Sequence, residues 1–257
     1  CARAYRQHLR DFSKMSPLQV WYDRVDERRL VDMAPDVETA KRRKKFAQKA
    51  RQRIGEYLLP KISSEVGGRR RLLDQPPILF HVDEKGDLVR AREAMEDYRL
   101  SLSDSVRVLF DRYRLEDIAV KVVGIGSVGM RCLVGLFSSA EGDPLLLQFK
   151  EASRSVLAPY AGDSVYPNQG QRVVTGQRLM QSSSDIFLGW TRGRKGHHFF
   201  GRQLRDMKFS FPIELAPPKG LRLYAEVCGW TLARAHAKSG DAAAISGYLG
   251  KSDAFDQ

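Results

Sequence analysis

Three glycines, at positions 124, 126 and 129, punctuate an otherwise apolar stretch, Lys121-Val122-Val123-Gly124-Ile125-Gly126-Ser127-Val128-Gly129-Met130-Arg131, and constrain the chain more than any other feature. One apolar run enters the turn and a second leaves it at Cys132-Leu133-Val134. A third, Leu145-Leu146-Leu147-Gln148-Phe149-Lys150, ends in a lysine. Without Cβ atoms at the glycines the backbone can bend sharply and come close to another group. Free N–H groups in such a turn attract phosphate oxygens. Gly124, Gly126, Ser127 and Gly129 are therefore the expected phosphate cradle.

Two unrelated folds use a glycine pattern of this spacing. The dinucleotide-binding version needs a helix opening at the third glycine and an acid about twenty residues further on. The residues after Gly129 read instead as a strand through Cys132, Val134, Leu136 and Phe137, with Ser138 to Pro144 as a hairpin connection. Strand, loop, strand, turn and strand in this order fit a kinase-like lobe, in which a lysine on the third strand reaches the phosphates. Lys150 is the candidate for that role, and a hairpin ending in a solvated lysine is the plain alternative. Leu145, Leu147 and Phe149 share one face of the third strand, Gln148 and Lys150 the other. The conformation of residues 130–137 separates the two folds.

The spacing predicts a helix over 169–181, with Val173, Gln177 and Met180 on one stripe. In a kinase lobe this helix supplies an acid that pairs with the strand lysine. No acid stands between Asp163 and Asp185, and Gln171 is the nearest substitute, able to hydrogen-bond but not to ion-pair. Residues 187–190 and 196–204 are expected to complete the sheet as a hairpin. His197 and His198, adjacent on a strand, point to opposite faces and cannot share a metal; both are expected to be exposed. Asp206 and Lys208 read as an ordinary surface ion pair.

A net charge of +12 and a pI near 9.8 bring nucleic acid into consideration. Much of the excess lies in residues 41–53, an amphipathic helix with a basic outer face, and in Arg69-Arg70-Arg71. A solvated face is the plain reading; a phosphate-rich partner held by Lys41, Arg42, Arg43, Lys44 and Lys45 is the sharper one. No apolar run has the length of a membrane-spanning helix and no signal-peptide layout opens the chain, so a soluble, cytoplasmic protein is expected. Cys1, Cys132 and Cys228 are odd in number and lack metal-ligand spacing, which fits a reducing compartment.

Helical spacing dominates the first part of the chain. Cys1, Tyr5, Leu9 and Phe12 recur on one face. Ser16-Pro17-Leu18-Gln19 is a capping-box start, with Leu18, Tyr22 and Val25 together and Trp21 beside them. Residues 67–71 and 75–77 read as loops and Glu84-Lys85-Gly86-Asp87 as a turn. Ser103 starts a helix with Val106, Leu109, Phe110 and Tyr113 inward. Near the end, a helix over 221–238 is expected to bury Tyr224, Val227, Cys228, Thr231 and Ala235. Gly240 stops it, and Asp241 caps a short helix after it. His236 reads as packed or capping rather than catalytic, Arg234 and Lys238 as surface charges. The fold class expected is α+β. Residues 1–115 form a helical region, part of a larger helical lobe; 116–210 hold a kinase-like small antiparallel sheet with one packed helix; 211–257 supply C-terminal helices that pack on the helical lobe.

Five blocks, KVVGIGSVGMR from Lys121, LQFKEA from Leu147, GQRVVTGQRLMQSSSDIFLGW from Gly170, RQLRDMK from Arg202 and CGWTLARAHAKSGD from Cys228, together resemble the C-terminal half of a bacterial family, domain-of-unknown-function family 2252. The opening segment, Ala4 to Tyr22, resembles it too. The resemblance implies a protein-kinase-like fold with its parts in permuted order, using ATP and magnesium. A GDxHxxNFG segment and an acidic FDxNDFD segment lie upstream in that family and do not occur here. The resemblance thus implies a fragment beginning after the catalytic loop, with the N-terminal segment of the same protein as its partner. Such a fragment would carry the loop and Lys150 without the metal ligand. A non-catalytic nucleotide- or nucleic-acid-binding module on the same scaffold is the alternative.

Overall fold

The computed structural model describes residues 1–24, 41, 59–82, 84–124, 129–181, 183–193, 196–204, 213 and 217–257. In chain order these form α1 (Ala2–Phe12), α2 (Pro17–Tyr22), α3 (Leu59–Ile62), β1 (Ser63–Val66), β2 (Arg69–Leu72), β3 (Leu79–Phe80), α4 (Glu84–Ser101), α5 (Asp104–Phe110) and β4 (Tyr113–Lys121). Next come β5 (Cys132–Ser139), β6 (Pro144–Glu151), α6 (Ala158–Ala161), α7 (Gln169–Met180), β7 (Gly189–Arg192), β8 (His198–Gln203), α8 (Pro218–Ser239) and α9 (Ala242–Leu249). The chain is α+β, as its changes of period imply. Its residues group into two compact units, Arg51–Gly176 with Ser184–Lys208, and Cys1–Ala50 with Gln177–Ser183 and Phe209–Gln257.

The first of these units is built on a six-stranded sheet in the order β3-β4-β5-β6-β8-β7, antiparallel throughout. β6 alternates as its sequence requires. Leu145, Leu147 and Phe149 enter one apolar cluster with Tyr98, Phe110 and Phe137; Leu146 enters another with Leu59, Ile62, Leu72 and Val134. α4 closes the first face. Its Tyr98 is fully buried, edge-on to Phe149 at 5.0 Å and to Phe110 at 5.4 Å, and its hydroxyl donates to the Phe187 carbonyl. Gly201 makes this seat possible, because a Cβ there would lie 2.6 Å from Tyr98 Cε2. On β4 the register shifts between Leu115 and Asp117. Asp117, buried, accepts from the Leu72 N–H at 2.8 Å and the Ile118 N–H at 2.9 Å and meets His81 Nε2 at 3.1 Å, tying β2 and the end of β3 to β4.

Several expectations change here. The stretch before Leu115 is not wholly helical: Arg69 to Leu72 pair with Ser63 to Val66 as a hairpin about Gly67-Gly68. The residues from Glu84 open α4 rather than a turn. Tyr113 starts β4, although its ring still packs on the cluster that Phe110 joins. β7 runs through Arg192, so the β7–β8 turn falls later than expected.

In the second unit α1 buries Tyr5, Leu9 and Phe12 as its spacing predicts, against Trp230 and Ala233 of α8. The buried stripe of α8 is Gly229, Trp230, Ala233, Arg234 and Ala235; Tyr224 and Thr231 are exposed. Small residues win that face because α1 comes very close, a Cβ on Gly229 lying 2.4 Å from the Cys1 carbonyl. Arg234 is not a surface charge: it is 2% exposed, with Nε donating to the Asp23 carbonyl. The capping box is present, Gln19 N–H to Ser16 Oγ at 3.2 Å and Ser16 N–H to Gln19 Oε1 at 2.8 Å. α2 turns Val20 inward, however, and leaves Leu18 and Tyr22 exposed, with Trp21 under Lys238 Nζ at 3.8 Å. Val25 lies outside the described residues. Asp241 caps α9, accepting from the Ala243 and Ala244 N–H groups, and His236 Nδ1 is held by the Tyr5 hydroxyl at 2.8 Å. Cys1, Cys132 and Cys228 are free thiols. Among the described residues no helix is long and apolar enough to cross a membrane.

Candidate functional site

The glycine turn joins β4 to β5, and both its stems are fastened. On the entry side the Val122 N–H donates to the Ile78 carbonyl at 2.8 Å. On the exit side the Glu151 N–H donates to the Arg131 carbonyl at 2.9 Å, while the Arg131 N–H returns a bond to the Glu151 carboxylate at 3.0 Å. Gly129 has φ +80°, a left-handed conformation that side chains disfavour. Gly124 is exposed, with open space where a Cβ would be. Gly126 and Ser127 lie outside the described residues. Residues 132–139 are a strand, which removes the dinucleotide-fold reading.

Lys150 is near the end of β6, half-buried, opposite Cys132 on one side and Phe200 on the other. Register places Gln148 and Arg202 on the same face one step back, and Lys121 beside Cys132 on β4. Lys150, Lys121 and Arg202 each pull the Cys132 thiol toward ionisation, as does the Gln148 amide, which donates to its Sγ at 3.3 Å; burial outweighs them and pushes the thiol pKa up. Cations thus gather at that end of the sheet. A cavity of about 370 Å³ opens there, lined by Lys150, Cys132, Arg131, Arg154, Arg172 and Phe200 among others, with the Glu151 carboxylate also on its wall.

α7 reaches this cavity with Arg172 and Val173; Gln171 is not among its lining residues. The buried positions of α7 are Gly170 and Val174, so the stripe is rotated from the one expected, and Met180 is exposed. Asn168 caps the helix, its Oδ1 accepting from the Gly170 N–H at 2.8 Å. Arg172 is braced by Gln169 Oε1 at 2.8 Å and the Ser153 carbonyl at 3.0 Å. α7 thus brings a cation, Arg172, to the cavity that Lys150 lines.

Glu151, next to Lys150 and lining the same cavity, escaped the sequence reading. Its carboxylate meets Arg131 Nη1 at 3.1 Å and His197 Nδ1 at 2.9 Å. Burial pushes its pKa up, but the Arg131 N–H and guanidinium and the nearby His197 outweigh it and hold the group below the usual carboxylate range. His197 and His198 are half-buried rather than exposed. His198 Nδ1 accepts from the Gln169 N–H at 3.1 Å, and burial, then Arg192 and His197, lower its pKa. Glu151 could have been found as the charged neighbour of Lys150. Lys41 is helical and exposed; Arg42 to Lys45, like Asp206 and Lys208, lie outside the described residues.

Fold and site together define an α+β protein with a glycine turn and a strand lysine at the end of an antiparallel sheet where cations gather. The chain belongs to the family described as "Uncharacterized protein conserved in bacteria (DUF2252)", whose model matches residues 1–257. No curated protein and no solved structure matches it.

Proposed function

We propose that the protein of which this chain forms the nucleotide-covering lobe is an ATP-dependent phosphotransferase with kinase-like parts in permuted order. Phosphoryl transfer needs a phosphate cradle, a cation on the phosphates, a metal held by carboxylates and a residue orienting the nucleophile. Gly124, Gly126, Ser127 and Gly129 supply the first, and Lys150 with Arg172 the second. The magnesium ligand and the orienting residue belong, on this reading, to a segment outside residues 1–257. The observation that carries the proposal is the meeting of Lys150 and Arg172 in one cavity beside the fastened exit stem of the glycine turn. Calorimetric titration of ATP with magnesium tests it. Lys150→Ala should weaken binding about ten- to a hundredfold, the value of a lost charge-assisted contact. Unchanged affinity would reject it.

A second reading, a non-catalytic module that holds a nucleotide or nucleic acid, is favoured by the cation on α7 where an acid is expected. If nucleic acid is the ligand and Lys41 to Lys45 hold it, affinity falls steeply with salt as counterions are released. Lys44→Glu with Lys45→Glu should abolish retention on a polyanion column; equal retention removes that reading.

A further inference from the structure

Arg202 carries a donor without an acceptor. It stands on β8 opposite Gln148, which puts it on the same face as Lys150 and diagonally across from it, Lys150 being opposite Phe200. Diagonal neighbours on antiparallel strands lie about 7–8 Å apart, a gap that long side chains span. The residue as a whole is half-buried; its Nε is fully buried, and that N–H has no hydrogen-bond partner among the described residues. Gln148 directs its amide to Cys132 Sγ instead, at 3.3 Å. Lys121 and Lys150, which act with Arg202 on the same thiol, are donors and cannot accept from it. A buried donor left in this way costs stability, and a charged one costs more. Nor is Arg202 among the residues lining the cavity that Lys150 shares with Arg154 and Arg172. By row, Lys150 thus stands between that cavity and Arg202.

We propose that Arg202 holds the second phosphate of a ligand whose first phosphate occupies the Lys150 cavity, so that the site selects molecules with linked phosphates over monophosphates. The edge of a guanidinium offers its Nε–H and an Nη–H side by side, a match for two oxygens of one phosphate. A single phosphate in the cavity leaves the Arg202 Nε as it was. A carboxylate would bring one charge to a face that holds Lys121, Lys150 and Arg202. Two linked phosphates bring oxygens to both places. Glu151, also on the cavity wall, is already held by Arg131 and His197. The inference rests on the reading of this face as a phosphate site, but not on phosphate being transferred.

Calorimetric titration of the 257-residue chain with pyrophosphate and with inorganic phosphate, both without magnesium, is the test. Pyrophosphate is expected to bind at least about tenfold more tightly than phosphate, the value of a charge-assisted contact. Arg202→Met should remove that preference and leave the affinity for phosphate as it is. Because Nε has no partner in the free chain, the same substitution should keep or raise the melting temperature, whereas loss of a structural arginine would lower it. Absence of pyrophosphate binding, or equal binding of the two anions, overturns the proposal. So does a preference that survives Arg202→Met, or a melting temperature that falls with it. The phosphotransferase reading fails separately. Pyrophosphate held through Arg202 without any affinity for ATP removes the nucleotide and keeps this site, while ATP binding that depends on Lys150 but not on Arg202 removes the role of Arg202 alone.

Discussion

Lys121, Lys150 and Arg202 crowd one face of the sheet around a buried thiol, and Arg172 adds a fourth positive charge from α7. On the nucleotide-binding reading, phosphates seated among these cations draw on each of them, so affinity should depend on each. Arg172→Glu is therefore expected to weaken ATP binding more than Arg172→Ala does. Gln171→Glu, outside the cavity, should change it by less than about fivefold, the upper range for a surface ion pair. Calorimetry on the three variants checks this; tighter binding in Arg172→Glu would mean that the helix wants an acid after all. Glu151 gives a pH prediction. Its folded pKa lies below its unfolded value, so its stabilisation is complete well above the unfolded pKa of about 4.3 and is lost as pH falls through the folded one. Glu151→Gln should accordingly lower the melting temperature at neutral pH and flatten its fall below about pH 5. Melting curves of variant and parent that run parallel into acid would exclude this role.

Among the elements, the α4–sheet contact is the most exposed to a small change. Gly201→Ala sets a methyl 2.6 Å from Tyr98 and 2.7 Å from Phe149, two rings with nowhere to go. Overpacking of this kind costs about 1–3 kcal/mol, and denaturant unfolding should show it; a loss below about 0.5 kcal/mol would mean that the rings yield freely. The same elements show what the sequence could reveal. β5 and β6 were legible because period-two apolar runs meet turn residues at Ser139 to Asp143, and α1 because Tyr5, Leu9 and Phe12 keep helical spacing. β2 was missed because Arg69-Arg70-Arg71 reads as charge, although the preceding Gly67-Gly68, both with positive φ, is a hairpin signal. The buried faces of α7 and α8 were misplaced for one reason. Gly170, Gly229 and Ala233 carry little apolar weight in a pattern, yet close backbone approach selects small residues. Lys150 was legible from its place at the end of a third strand. Arg172 was not, because its reach depends on how α7 is rotated.

For the molecule as a whole, the decisive question is whether binding and chemistry can be separated. On the phosphotransferase reading the glycine turn and Lys150 position phosphates, but stabilising the transferring phosphoryl group needs the metal ligand and the nucleophile-orienting residue placed at the same time. Neither the GDxHxxNFG segment nor the acidic segment that would carry them occurs within residues 1–257. The purified 257-residue chain is therefore expected to bind ATP weakly and to hydrolyse none. On that reading, joining a segment that carries both motifs to the same polypeptide should raise affinity and confer magnesium-dependent turnover. Release of labelled phosphate distinguishes the cases. Turnover by the chain alone, lost in Lys150→Ala, would move the catalytic residues into it. Tight nucleotide binding by the longer polypeptide without turnover on any acceptor would favour the regulatory reading, because a cation on α7 in place of an acid then marks a site built to hold phosphate rather than to pass it on.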